Sequence, residues 1–223
     1  MRLTVFNGSP RGKAGNTQVF LDHFLKGFLE TPGNSCELHY LLKEKEPGKL
    51  ASAFTDAETV LLAFPLYIDS MPALVKGFIE TLEPSCGRQG NPDIVLLIQS
   101  GFPEAVHLRA LERYLVKLSQ RLGCRHIGTI VRGGGEVLRF MPGPLRKAVH
   151  RRLYRIGKAF GVTHALDRRM LKGLAFPERL SKPGLFIIGI LQRLGVLDAS
   201  WNRQLRANNA FERRFDTPYL RNT

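Results

Sequence analysis

The run Asn7-Gly8-Ser9-Pro10-Arg11-Gly12-Lys13-Ala14-Gly15-Asn16-Thr17 follows an apolar, strand-like segment, Leu3 to Phe6, and leads straight into a helix-like one. That layout suits an anion. Glycines let the backbone approach it, hydroxyls and an amide add donors, Arg11 and Lys13 add charge, and the following helix aims unpaired N–H groups at the ligand. Ser9, Arg11, Asn16 and Thr17 are the candidate ligands, and Asn16 or Thr17 also suits the helix N-cap. Spacing excludes two well known phosphate loops. Three residues, not four, separate Gly8 from Gly12-Lys13, and Ala14 stands where a Walker A loop needs Ser or Thr. Gly8, Gly12 and Gly15 do not fall on the dinucleotide fingerprint G-x-G-x-x-G.

Helical and strand-like patterns alternate through the first 160 residues, which predicts a parallel sheet with helices on both faces. The expected strands are Arg2–Phe6, Glu37–Leu42, Thr59–Phe64, Ile94–Gln99 and His126–Val131, near-continuous apolar runs of the kind that a sheet buried on both faces requires. Helices are expected at Thr17–Leu29, Met71–Leu82, Glu104–Leu122 and Leu145–Phe160, the last with Leu145, Val149, Leu153, Ile156 and Phe160 on one face and six basic residues on the others. In such a sheet, ligands bind beyond the carboxyl ends of the strands at the switch point. Three loops meet there. The first is the anion cradle, the second is Pro65-Leu66-Tyr67-Ile68-Asp69-Ser70-Met71-Pro72-Ala73, and the third is Gln99-Ser100-Gly101-Phe102-Pro103-Glu104.

Composition narrows the function without choosing it. The 223 residues suit one α/β domain, placed at 1–163, plus an extension over 164–223. No apolar stretch with a basic flank opens the chain, so a cytoplasmic protein is expected. Cys36, Cys86 and Cys124 form no C-x-x-C pair, which argues against a disulfide framework or a metal cluster. His23, His39, His107, His126, His150 and His164 are scattered, with no metal-ligand spacing, and read as structural or surface residues. The net charge of +14 is uneven: 9 Lys and Arg face 11 Asp and Glu up to residue 100, and 24 face 8 after it. This asymmetry suits an anionic partner, whether nucleotide phosphates, a membrane surface or nucleic acid. Nucleic acid is the least favoured, since the basic residues are not interleaved with aromatics. The apolar run Gly184–Leu197 in the extension is shorter than the roughly 20 residues of a membrane span. It suits a helix covering a site, a subunit interface, or a helix lying on an anionic membrane surface.

The first loop, G-S-P-R-x3-G-N-T, resembles the phosphate loop of the flavodoxin-like NAD(P)H-dependent FMN reductases, and P-L-Y-x-D-x-M-P-x-x-x-K-x-F from Pro65 to Phe78 resembles that family's second loop and following helix. Gln99–Glu104 and Gly133-Gly134-Gly135 resemble later elements of its NAD(P)H-dependent oxidoreductase branch; Trp201-Asn202 and Asp216–Tyr219 look like the tail of longer members. The resemblance covers about residues 1–160 and implies a five-stranded doubly wound sheet of order 2-1-3-4-5, bound FMN, NADPH or NADH as donor, a small-molecule acceptor such as a quinone or free flavin, and a homodimer. On that resemblance Ser9, Arg11, Asn16 and Thr17 hold the FMN phosphate, and Pro65, Leu66, Tyr67, Met71, Ser100, Gly101 and Phe102 surround the isoalloxazine. Tyr67 and Met71 are expected to flank the ring, the N–H groups around Leu66 and Tyr67 to face its N1 and O2, and Ser100 and Gly101 to meet its edge. No side chain is expected to act as a catalytic acid, base or nucleophile. The alternative is a flavodoxin-fold binding protein that attaches to an anionic membrane or a protein partner through its basic half and extension.

Overall fold

Strands β1 (Arg2–Asn7), β2 (Ser35–Tyr40), β3 (Thr59–Pro65), β4 (Asp93–Gln99) and β5 (His126–Arg132) form one parallel sheet of order β2-β1-β3-β4-β5, as expected. The computed structural model describes every residue except 45, 137, 139, 140, 142, 196, 197 and 218–223. Thus Pro218 and Tyr219 of the expected tail motif, and the last two residues of the apolar run, lie outside the described residues.

Because side chains alternate across a strand, an uninterrupted apolar strand needs cover on both faces. Phe6, Val60, Leu62, Phe64, Leu96 and Ile98 point into one buried layer, beneath α2 (Pro47–Thr55), α3 (Ala73–Thr81) and α4 (Arg109–Leu122). Leu3, Val5, Leu61, Ala63, Val95 and Leu97 point into the other, beneath α1 (Asn16–Phe28) and α5 (Gly143–Thr163). Helices α1 and α5 pack backbone to backbone. A Cβ added at Gly157 would overlap the carbonyl oxygen of Phe24, and one at Gly27 that of Tyr154. Beside this crossing the rings of His23 and His150 stack at 3.8 Å, and burial holds both imidazoles below their ordinary pKa. The apolar face of α5 is buried at Val149, Leu153, Ile156 and Phe160, whereas Leu145, expected among them, is 59 % exposed, one turn before the helix reaches α1.

Other departures from the sequence reading have local causes. β2 stops at Tyr40 because the chain turns, Lys43 N donating to Tyr40 O, and Leu41 leaves the strand while staying buried. The expected helix Glu104–Leu122 is two pieces, a tight turn over Ala105–Leu108 and then α4. α2 was not expected, since among the described residues Leu50 and Phe54 are its only large buried ones, and neither was α6 (Arg168–Ala175).

The chain divides into two compact units, Met1–Arg179 and Leu180–Thr223. The first therefore runs past the boundary at 163 read from the sequence. Residues 164–179 join it because Leu174 and Ala175 are buried, Ala105 N and Val106 N donate to the carbonyls of Pro177 and Glu178, and Arg109 pairs with Glu178 at 2.6 Å. The second unit holds α7 (Lys182–Arg193) and α8 (Asp198–Ala207). Ser181 caps α7 by accepting from Gly184 N at 3.3 Å.

The close crossing of α1 and α5 is testable. Gly157→Ala should lower the urea midpoint by an amount equivalent to roughly 1–3 kcal/mol, the usual cost of overpacking. Gly77→Ala, on α3 with open space around the added Cβ, should raise it by about 0.5–1 kcal/mol through helix propensity. Equal effects at the two positions would contradict the packing described.

Candidate functional site

At the carboxyl end of β1, buried Asn7 shapes the first loop from both ends of its amide. Its Oδ1 accepts from Ser9 N at 2.9 Å and its Nδ2 donates to Gln18 Oε1 at 2.9 Å. Ser9 Oγ in turn accepts from Arg11 N at 3.3 Å, and a single tight turn over Gly12–Ala14 leads into α1. The N-cap is Gly15, with no side-chain cap, so neither Asn16 nor Thr17 serves as the cap. Asn16 is instead the first residue of the helix, and its side chain is turned into the cleft. Its Nδ2 donates to Glu136 Oε2 at 2.8 Å, and Arg11 Nη1 lies 3.3 Å from both oxygens of the same carboxylate.

The second loop follows β3. Leu66 N donates to Gln99 O at 2.7 Å and Tyr67 N to Ser70 O at 2.8 Å, so both amides expected to face a ligand are committed within the protein. The turn Tyr67–Ser70 has positive φ at both central residues, 46° at Ile68 and 59° at Asp69. This is the geometry of a type I′ turn, which favours Asn and Gly. A β-branched residue there is strained, and Ile68 is 99 % exposed, so burial offsets none of the cost.

A cleft of about 220 Å³ opens between the loops. Ser9, Arg11 and Asn16 line it from the first, Pro65, Leu66 and Tyr67 from the second, and Gly101 from the third. Four expected residues do not line it. Thr17 is fully buried, with Oγ1 3.5 Å from Gln99 Nε2; Met71 packs against the core; Ser100 is buried, its hydroxyl donating to Phe102 O at 3.1 Å. Phe102 is exposed, and its ring lies 4.6 Å from that of His107.

Two lining residues, Gln99 and Glu136, were not singled out from the sequence. The signal for Glu136 was topological: the loop after β5 emerges at the same sheet edge, and the three glycines bring it close. Gly134 N donates to Phe102 O at 2.5 Å and Gly135 N to Ser100 O at 2.7 Å, and a Cβ at residue 135 would overlap Gln99 Oε1. Gly135 is thus fixed against β4, and Glu136 is delivered to the rim of the cleft.

The strain in the second loop predicts the sign of a substitution. Ile68→Asn should raise the urea midpoint by an amount equivalent to about 1 kcal/mol, the cost of a side chain in the left-handed region that Asn largely avoids. A lower midpoint would mean that the Ile68 side chain holds the loop in place.

No protein-family model matches the sequence, and no curated protein matches it either. Solved structures do resemble the fold. An FMN-dependent NADH-azoreductase from Bacillus anthracis str. Ames Ancestor, in complex with FMN, superposes with a TM-score of 0.57 at 13 % identity, covering 72 % of this chain and 100 % of its own. An NADH:FMN oxidoreductase, EMOB, in its apo form gives 0.55 at 16 % identity over 79 % of this chain and 96 % of its own. An NADPH-quinone reductase from P. pentosaceus gives 0.56 at 15 % identity over 73 % and 99 %. With its sheet order and its helices on both faces, this chain has the flavodoxin-like α/β fold that these enzymes share.

Proposed function

We propose that the chain is an FMN-dependent oxidoreductase that passes hydride from NADPH or NADH, through the flavin, to a small acceptor such as a quinone or free flavin. The observation that carries this reading is the convergence on one cleft, at the carboxyl ends of β1, β3 and β4, of three loops that each resemble a loop of the FMN reductase family. The fold neighbours described as FMN-dependent or as quinone-reducing lend support.

The residues present fit the group. Arg11 and Asn16 already hold an anion, the Glu136 carboxylate, in the place where a phosphate is expected, so the donor set suits an oxyanion at the N-terminus of α1. Ser9 adds a hydroxyl at the base of the cradle. Pro65, Leu66 and half-exposed Tyr67 give an apolar wall for a flat ring, and Gly101 leaves room at its edge. The flavin, when bound, supplies two-electron transfer between nicotinamide and acceptor. The protein's part is to bind, orient and leave one ring face open.

An FMN titration of the apoprotein, followed by flavin fluorescence, tests this reading, with riboflavin as the control that lacks the phosphate. FMN should bind far more tightly than riboflavin. Arg11→Ala and Asn16→Ala should each weaken FMN by roughly 1–3 kcal/mol through lost hydrogen bonds to a charged group, and should leave riboflavin unchanged. Failure to bind either flavin, or no NAD(P)H oxidation by the loaded protein with quinones, free flavins or nitroaromatics, would remove the proposal.

A second reading is favoured by α7, on which Leu185, Phe186 and Ile187 are exposed within a basic unit. Among the described residues no helix is long and apolar enough to cross a membrane. On this reading α7 lies on an anionic lipid surface. Sedimentation with anionic vesicles should then retain the full chain and release a Phe186→Asp, Ile187→Asp variant. Equal behaviour of the two proteins would dismiss it.

A further inference from the structure

A second cavity, of about 290 Å³, opens between α4, β5 and α6 and shares no lining residue with the cleft. Its floor is apolar, with Val131 and Ala175 buried and Leu171 half-buried. Its rim is basic. Arg168, Leu171, Lys172 and Ala175 fall on one face of α6, at the spacing of successive helical turns, so this face turns two cations and two apolar side chains to the same cavity.

Neither cation helps the helix that carries it. Arg168 is the first residue of α6, at the end where the helix dipole favours anions, and like charges four residues apart repel. Asp167, the adjacent acid, is committed to the cap, its Oδ1 accepting from Met170 N at 2.8 Å. Among the described residues no carboxylate pairs with Arg168 or Lys172. The third cation of the lining, Arg109, is in contrast saturated: Glu112, also in the lining, accepts from it at 2.7 Å and Glu178 at 2.6 Å. The cavity therefore has an unmet demand for negative charge at Arg168 and Lys172, directly above an apolar floor.

We propose that this cavity binds a small organic monoanion, a carboxylate on a compact apolar body, with the carboxylate between Arg168 and Lys172 and the body on Val131, Leu171 and Ala175. The inference does not depend on the flavin reading of the cleft. A volume at the small end of ligand cavities, which span roughly 300–1,000 Å³, suits a single ring or a short chain. A neutral molecule leaves both cations unmet, and a more highly charged one is opposed by Glu112 in the same lining. The bound acid bridges α6 to β5. It thereby tightens the seating of residues 164–179, whose carbonyls at Pro177 and Glu178 already accept from Ala105 N and Val106 N.

The test is isothermal titration of the full chain with benzoate and with octanoate, beside acetate, which has the charge without the body, and benzyl alcohol, which has the body without the charge. At least one of the two apolar acids should bind, at least about tenfold more tightly than either control. The exposed pair Arg168→Ala, Lys172→Ala should weaken that acid at least about tenfold, whereas Arg151→Ala, Arg155→Ala, which removes the same charge from α5, and Arg11→Ala, in the cleft, should bind it as wild type does. The acid should also raise the thermal midpoint of wild type and not that of the Arg168, Lys172 variant, and the midpoints without ligand confirm that every variant is folded. No binding of either apolar acid, acetate or benzyl alcohol binding as well as they do, or equal losses in the α5 or cleft variants would each overturn the inference.

Discussion

The structure depends on one constraint: a parallel sheet whose central strands are apolar on both faces must be covered on both. β1, β3 and β4 meet it with phenylalanine, leucine and valine side chains alternating between the two layers. Covering both faces obliges the chain to wind in one direction from β1 to β2 and in the other from β3 to β5. The loops that leave β1 and β3 therefore diverge, and the crevice between them is where the cleft lies. Site and core have a common origin. The glycine contact between α1 and α5 serves the same end, since it seats α1 against the sheet and so fixes where its N-terminus, with Asn16, lies at the cleft.

Within the cleft, the deciding interaction is electrostatic and local. Arg11 brings a positive charge to a helix N-terminus, where an anion is favoured for two reasons at once, the guanidinium and the unpaired amides. The structure meets that demand internally, by Glu136, whose placement depends on a glycine turn packed against Gln99 and Pro103. A surface ion pair of this kind contributes on the order of 1 kcal/mol or less.

The sheet was legible in the sequence because its strands are long apolar runs and its helices carry strong periodicity, and the order 2-1-3-4-5 came with the resemblance. What escaped were elements held by tertiary contact. Among its described residues α2 buries only Leu50 and Phe54 as large side chains, and α6 is held by Leu174, Ala175 and the carbonyls that Arg132 Nη1 binds at 2.9 Å and 2.7 Å. Of the residues chosen by type and loop position, Ser9, Arg11, Pro65 and Tyr67 line the cleft, where the loop itself is the wall. Where a side chain has an inward alternative it takes it: Thr17 and Ser100 turn to partners in the interior and Met71 to the core. Backbone donors at Leu66 and Tyr67 could not be assigned from sequence, since their partners, Gln99 O and Ser70 O, belong to the strand ladder and the strained turn. Glu136 was missed because it answers a charge more than 100 residues away.

Charge is distributed on two scales. The second half of the chain carries all of the net positive charge, the first 100 residues being slightly acidic, and the basic side chains of α5 line faces turned from the core, with Lys158 reaching Glu30 at 2.9 Å. At the cleft Arg11 is met by Glu136. A field of this kind draws anions toward the molecule over distances of up to about a Debye length, which low salt lengthens, yet it does not by itself retain them in the cleft. Ionic strength thus acts on the long-range attraction through the arginines of α5, whereas the contacts of Arg11 and Asn16 with Glu136 are local.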